Sequence, residues 1–488
     1  MADPIATYGL MSLAPPVFAI GLALVTRQVF VSLLAGIWLG FVILAGGNPL
    51  TGTLDTFDGF VAVFASGYNT HIILFTLLIG ALIGLVQYSG GVEGFVQALL
   101  GRLDKMDAKA RGRGQRIRVE LLALATGFLL FIESNISILT VGTVYRPITD
   151  KLGVPREKLA YITDSSSSPS CILIPFNAWG AYIAAQLAIQ SVQNPFGLVL
   201  ETIAFNFYPI LVIVMLVVVI ISGKDFGPMK TAERRGTLLR SGAEPMMGGE
   251  ITAITPPDAT PRRAINMFIP MGVMVLLMPL FMIYTGWSDG GGNAFKALQN
   301  GAGEKAVLYA VSGAIIVAMF MYRAQRLTGF KNMIDLSLKS MGGMLPLALL
   351  MVMAFALGQL CKDLGTGYYV AEQAQRFLDP ALVPMIIFLS ACFIAFAMGT
   401  SWTTFAIMIA IAVPLAVDLD LSVSLCVAAA LGGGIFGDHC SPISDTSIIS
   451  SMATANDHID HIRTQLPYAL LCGGLAAVFY LIAGVVTA

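Results

Sequence analysis

Apolar residues run along this chain in stretches of about 17–25, the length an α-helix needs to cross a bilayer, not in the ten-residue alternations of a barrel strand. In the first half such runs cover 8–26, 29–46, 71–89, 119–145, 158–190 and 197–222. In the second they cover 265–286, 305–322, 341–360, 381–417, 421–455 and 466–486, with a short amphipathic stretch around Tyr368–Phe377. Polar residues that a lipid-facing helix excludes interrupt four of these runs. Glu133-Ser134-Asn135 interrupts the run at 119–145, and Gly399-Thr400-Ser401-Trp402-Thr403-Thr404 interrupts the one at 381–417. Asp164-Ser165-Ser166-Ser167-Ser168-Pro169-Ser170 lies inside 158–190.

The densest interruption, Gly432-Gly433-Gly434-Ile435-Phe436-Gly437-Asp438-His439-Cys440-Ser441-Pro442-Ile443-Ser444-Asp445-Thr446, lies inside 421–455. An ionised side chain at the bilayer centre costs about 2.5–3.5 kcal/mol on insertion scales. Proline removes a backbone donor and glycine permits bends, so a helix broken at mid-depth is predicted here. Exposed backbone at that depth is tolerated only where it lines a cavity or is buried in protein, which marks an ion or substrate site.

Charge then orients the runs. Arg102, Lys105, Lys109, Arg111, Arg113, Arg116 and Arg118 precede the run at 119–145, and Arg146, Lys151, Arg156 and Lys158 follow it. Both loops belong inside by the positive-inside rule. A run too short for two spans of about 20 residues must then enter and return, as a re-entrant hairpin. The run at 381–417 repeats this pattern, and the loop after it, Asp418-Leu419-Asp420, carries no base and belongs outside.

Each half reads as five spans plus one hairpin, and an odd number of crossings inverts the second half. The predicted fold is an all-α polytopic membrane protein of two inverted repeats, 1–222 and 265–488. A flexible cytoplasmic linker, 223–264, joins them, and both termini fall outside the inner or plasma membrane. The Asp164 segment resembles Asp438-His439-Cys440-Ser441-Pro442-Ile443-Ser444, and each lies about thirty residues beyond its hairpin tip. Inverted repeats with discontinuous helices meeting at the midplane are the mark of secondary transporters.

Composition agrees. The 488 residues are 56% hydrophobic and 12% charged, about half the charge fraction of a soluble domain. No basic tract with interleaved aromatics points to nucleic acid. Met1-Ala2-Asp3-Pro4 lacks the basic n-region of a cleaved signal peptide. The six cysteines lack metal-type spacing, and His458 and His461 read as a polar helix end, a pH sensor sooner than a metal site. No cofactor is expected beyond Na⁺ and H⁺ as coupling ions.

Asp438, Asp445, Asp164 and Glu133 are the expected ion- and proton-coupling residues. A carboxylate in a low-dielectric site keeps its proton until a cation replaces it, so competition between Na⁺ and H⁺ suffices for antiport. Hard oxygen ligands come from helix breaks and from Ser134, Asn135, Ser165, Ser168, Thr400, Ser401, Thr403, Thr404, Ser441, Ser444 and Thr446, with His439 a further candidate. Na⁺ is expected near Asn135, Asp164, Thr403 and Asp438. Hydroxyl-rich tips at helix N-termini suit a substrate carboxylate equally well, and Asn177 with Trp179 offers a roomier pocket. Two readings therefore stand: sodium/proton antiport, and Na⁺- or H⁺-coupled transport of a small organic anion or amino acid. No enzyme is expected, because adjacency of Ser441 and His439 in sequence does not supply nucleophile–base geometry.

Phe436-Gly437-Asp438 with Ser441-Pro442-Ile443-Ser444-Asp445-Thr446 resembles the signature of the NhaC-type sodium/proton antiporters. Val141-Gly142-Thr143-Val144-Tyr145-Arg146-Pro147, Arg156-Glu157-Lys158-Leu159-Ala160-Tyr161-Ile162 with Asp164, and Ala178-Trp179-Gly180-Ala181-Tyr182 resemble the same family. The resemblance spans nearly the whole chain. It implies the ion-transporter superfamily fold, in which hairpins and a bundle move against a scaffold in an elevator-like or rocking manner, often as a homodimer. Where the family pattern has Phe-Asp-Asp-Tyr-x-Asn, this chain has Phe131-Ile132-Glu133-Ser134-Asn135. That tip also resembles the Ser-Asn tips of sodium-coupled dicarboxylate carriers, and the family includes exchangers of malate and lactate.

Overall fold

The structure is a computed structural model that describes residues 8–487 except 27, 96, 99–112, 132–133, 246–255, 258–259, 288–293, 295–296, 298–300, 378 and 443. The side chains at 23, 24, 29, 136, 371, 374–377 and 445 are likewise not described. Among the described residues the fold is helical, and nine helices are long and apolar enough to cross a membrane, or up to eleven if each of two bent pairs is one span.

The first helices are α1 (Ala14–Thr26), α2 (Val29–Leu44), α3 (Pro49–Ala65) and α4 (Gly67–Tyr88). Sequence reading treats 47–70 as a connector, yet α3 is a full helix, turned 119° from its predecessor. Asn48 caps it by accepting from the Leu50 and Thr51 amides, with Pro49 at the first position, a favoured helix start.

Next come α5 (Arg113–Leu129), α6 (Ser134–Lys151), α7 (Arg156–Leu173) and α8 (Ala178–Ile189). The first two pack on each other, over bounds longer at both ends than the run at 119–145. The Ser137 hydroxyl donates to the Gly127 carbonyl at 3.0 Å and the Thr126 and Tyr145 hydroxyls meet at 2.8 Å, tying the arms together. The run at 158–190 is broken as expected, and α7 and α8 diverge by 47°. The run at 197–222 divides into α9 (Pro195–Thr202) and α10 (Phe207–Ser222).

The linker departs from expectation. It opens with α11 (Gly227–Arg235), and residues up to 245 are held by the bundle. Asp225 pairs with Lys158 at 2.6 Å, Arg235 with Glu157 at 2.8 Å and Arg240 with Asp460 at 2.9 Å. The Glu244 amide donates to Asp457 at 2.9 Å. These charges looked like a solvated loop because their partners lie far away in sequence.

The second half holds α12 (Ile265–Trp287), α13 (Gly303–Ala324), α14 (Phe330–Gly343), α15 (Leu345–Asp363) and α16 (Thr366–Phe377). It continues with α17 (Val383–Met398), α18 (Ser401–Asp418), α19 (Val423–Cys440), α20 (Asp445–Ala453) and α21 (His458–Thr487). The last helix begins eight residues before the expected span at 466, and Asp457 caps it through the Ile459 and Asp460 amides.

Both hairpins clasp the broken helix that follows them: α5 and α6 pack on α7, and α17 and α18 pack on α19. The two clasped sets meet where α7 touches α19, α20 and α21. Glycine makes the second clasp close. A Cβ on Gly433 would lie 2.4 Å from the Phe388 carbonyl oxygen, and one on Gly437 would lie 2.3 Å from the Ala395 Cβ. Both obstacles belong to α17, so relief requires moving a helix. Gly437→Ala should therefore destabilise the protein by about 1–3 kcal/mol, the usual cost of overpacking. It should melt several degrees below wild type in detergent. Gly474→Ala, with nothing within 4 Å of its new Cβ, should melt like wild type.

Candidate functional site

Two carboxylates sit where the clasped sets meet. Asp438 lies near the C-terminus of α19 and is 2% exposed, and Asp164 lies in mid-α7 with no exposure. The α19–α20 break holds the first. Ser444, which caps α20 through the Ser447 amide, donates its hydroxyl to Asp438 Oδ1 at 2.8 Å. Ser401, the first residue of α18, donates to Asp438 Oδ2 at 3.0 Å. The second hairpin tip therefore touches the carboxylate directly. Gly399 at φ 66° ends α17 in a left-handed conformation and turns the chain into that position. Ser441 anchors the break by donating to the Phe396 carbonyl at 2.7 Å.

Asp164 is held from the other side. Its Oδ2 accepts from Ser447 Oγ at 2.9 Å and Gln465 Nε2 at 2.7 Å, with His461 Nε2 at 3.5 Å. Ser447 Oγ also lies 3.5 Å from the Asp438 carbonyl oxygen, so one hydroxyl stands between the two acidic residues. Asp164 Oδ1 has no hydrogen-bond partner among the described residues.

His439 is occupied at both ring nitrogens. Ser165 Oγ lies 2.8 Å from Nε2 and the Tyr208 hydroxyl 2.9 Å from Nδ1. The imidazole thus pins α19 to α7 and α10. Asn177 is likewise a brace. Its oxygen caps α8 through the Trp179 and Gly180 amides. Its nitrogen donates to the carbonyls of Phe131, Cys171 and Ile174 at 2.8–2.9 Å. That ties the first hairpin turn to the α7–α8 break. Trp179 is buried and lies 4.9 Å from Trp402, ring to ring.

The remaining expected residues are spread around this centre. Thr446 meets Ser444 at 3.0 Å, and Thr404 donates back to the Thr400 carbonyl within its own helix. Ser134 and Asn135 open α6. Glu133 lies outside the described residues, and the side chain of Asp445 is not described. Thr163, Ser168, Thr403 and Ser450 present buried hydroxyls that have no partner among the described residues. A buried polar atom without a partner costs about 1–3 kcal/mol. These hydroxyls, carried by α7, α18 and α20, are oxygens able to take a ligand.

Sequence reading missed Ser447, Tyr208, His461 and Gln465. The last pair carried a signal: His461 and Gln465 stand one turn apart on one face of α21, joined at 2.9 Å. His461 also reaches Ser451 at 3.1 Å, so it belongs to the Asp164 network and not to a helix-end sensor. Among the described residues no group of three or more His, Cys, Asp and Glu could hold a metal ion.

A cavity of about 710 Å³ lies elsewhere, between α3, α8 and α15, lined by Asp55, Asp58, Asn69, Lys362 and Asp363 among others. Phe355 on its wall packs against Tyr182, and Tyr182 against Trp402 on the second hairpin, at ring separations of 5.5 and 5.0 Å. These packed rings run from the cavity wall to the second hairpin, whose tip touches Asp438.

Comparison with known proteins places these features. A Haemophilus influenzae protein whose description is uncharacterized is 32% identical over 97% of this chain and 90% of its own. The arginine/ornithine antiporter ArcD of Halobacterium salinarum is 30% identical over 25% of this chain and 25% of its own. The Alcanivorax borkumensis YdaH transporter has a similar fold, with TM-score 0.58, 13% identity, and 88% of each chain covered. Neisseria gonorrhoeae MtrF, from a class of antimetabolite efflux pumps, does too, with TM-score 0.53, 13% identity, and 88% of this chain and 84% of its own covered. Residues 188–485 match the model of the Na⁺/H⁺ antiporter family, and on that match, which takes in both Asp438 contacts and the α21 network, the chain belongs to that family.

Proposed function

We propose that this protein is a secondary active transporter of the cell membrane that exchanges Na⁺ for H⁺, the two ions competing for Asp438 and Asp164. One observation carries the reading: two buried carboxylates lie where two broken helices meet, and the described contacts to them come from hydroxyl, amide and imidazole groups. No lysine or arginine pairs with Asp164 among the described residues. A buried carboxylate needs compensation. A proton supplies it by neutralising the group, and Na⁺ supplies it by charge, so one occupant displaces the other. Ser401, Ser444 and Ser447 serve either state, because a hydroxyl donates to a bare carboxylate and turns its lone pairs toward a cation.

Repetition of a hairpin clasping a broken helix supports two inverted repeats, each carrying one carboxylate. In this reading the second hairpin tip moves with Asp438, and the aromatic layer of Tyr182, Phe355 and Trp402 closes one approach to it. The test is purified protein in liposomes with an internal pH dye and an imposed sodium gradient. Proton movement under sodium alone is the expected result, and silence would defeat simple exchange.

A second reading, a coupled carrier of an amino acid, draws on the 710 Å³ cavity, which is far larger than a bare ion needs. It also draws on the similarity of a quarter of the chain to ArcD. Protons that move only when an amino acid is added with sodium would favour it.

A further inference from the structure

A second cavity, of about 480 Å³, opens where the apolar helix α10 ends and the linker begins. Its walls come from the first turns of α5 and α7, the end of α10 and the linker helix α11. Six basic side chains line it, Arg113, Arg116, Lys158, Lys224, Lys230 and Arg234, against three carboxylates. All three carboxylates are already engaged: Glu120 and Glu233 by Arg116, and Asp225 by Lys158 at 2.6 Å. Arg113, Lys224, Lys230 and Arg234 have no carboxylate partner among the described residues, so the concavity keeps uncompensated positive charge. Charge that only orients a chain in the membrane needs no such enclosure. Arg146 and Lys151, on the same end of the bundle, lie outside the cavity.

The rim gives the second observation. Val214, Val218 and Ile221 stand 52%, 53% and 55% exposed along one face of α10, an apolar stripe that runs up to the mouth of the basic cavity. Phosphate chemistry suits the cavity, and acyl chains suit the stripe beside it.

We propose that this cavity binds a phosphate group, that of an anionic phospholipid whose chains lie along α10. The bound headgroup bridges hairpin helix α5 to the linker helix α11, which is otherwise seated through buried Met229 and Ala232. Juxtamembrane basic groups gain about 1 kcal/mol each from anionic lipid. Three of them therefore amount to roughly a hundredfold in affinity.

The full-length protein, purified in a neutral detergent, tests this. Phosphatidylglycerol, phosphatidylcholine and inorganic phosphate are titrated separately, with binding read by native mass spectrometry and by the melting temperature. Phosphatidylglycerol should bind at least tenfold more tightly than phosphatidylcholine. That preference should disappear in the triple variant Lys224→Gln, Lys230→Gln, Arg234→Gln, whose positions are surface-exposed. Inorganic phosphate that binds as tightly, and is lost in the same variant, would keep the phosphate site and overturn the lipid as its source. Equal binding of both lipids, or a triple variant that keeps the preference, would overturn the site altogether. If the triple variant fails to fold, Lys230→Gln alone replaces it, with the same preference reduced severalfold and Lys230→Arg retaining it.

Discussion

Asp438→Asn should abolish sodium-driven proton movement in liposomes while leaving the protein folded. The amide matches the carboxylate in shape and still accepts one hydroxyl, so only one of Ser401 and Ser444 must turn. What it removes is the charge. A cation left without its buried counter-charge loses about 3–5 kcal/mol, or two to four decades of affinity, and the group can no longer carry a proton. Removing one hydroxyl is milder. Ser401→Ala or Ser444→Ala deletes one donor to Asp438, worth about 1.5–3 kcal/mol for a hydrogen bond to a charged group. Each should raise the sodium concentration for half-maximal exchange tenfold or more without abolishing flux. An Asp438→Asn protein that melts like wild type yet still exchanges at wild-type rate would remove Asp438 from the mechanism and leave Asp164 as the sole coupling carboxylate.

The breaks were legible in sequence because their causes are local. Gly399, the Pro442 segment and the serine run after Asp164 each oppose a continuous apolar helix by composition alone, and each falls at a helix boundary or a polar buried face. What was hidden depends on partners. In α3, Asp55, Asp58, three threonines and two glycines dilute an apolar run below the level of a span. The helix exists because one face packs on α2 while its carboxylates face a cavity. His461 and Gln465 sit among Asp460 and Arg463, which reads as a soluble helix end. On a helix, positions four apart share a face, so those two turn toward Asp164 while Asp460 turns to Arg240. The linker was misread for the same reason: its arginines look solvated until Glu157 and Asp460 are brought beside them.

Lys158→Met should be among the most destabilising single substitutions in the chain. Lys158 is 1% and Asp225 6% exposed at the side chain, and they pair at 2.6 Å. The Tyr468 hydroxyl adds a bond to the same Asp225 oxygen at 2.7 Å. Removing the lysine strands a buried carboxylate with one hydroxyl donor, at a cost of about 3–5 kcal/mol. Asp225→Asn in the Lys158→Met background should recover most of that, because a neutral amide keeps the tyrosine bond and needs no counter-charge. A melting curve of the single and double variants in detergent gives the comparison. A double variant as unstable as Lys158→Met would place the loss in lysine packing and not in the charge. In the proposed exchange the pair bears on Asp164, because Lys158 lies in the first turn of α7, six residues before it. Arg235 fastens the same turn by pairing with Glu157. The linker therefore holds the helix that carries Asp164. Variants that loosen Lys158–Asp225 without unfolding the protein should change exchange rates through the position of α7, while the chemistry at Asp438 stays intact.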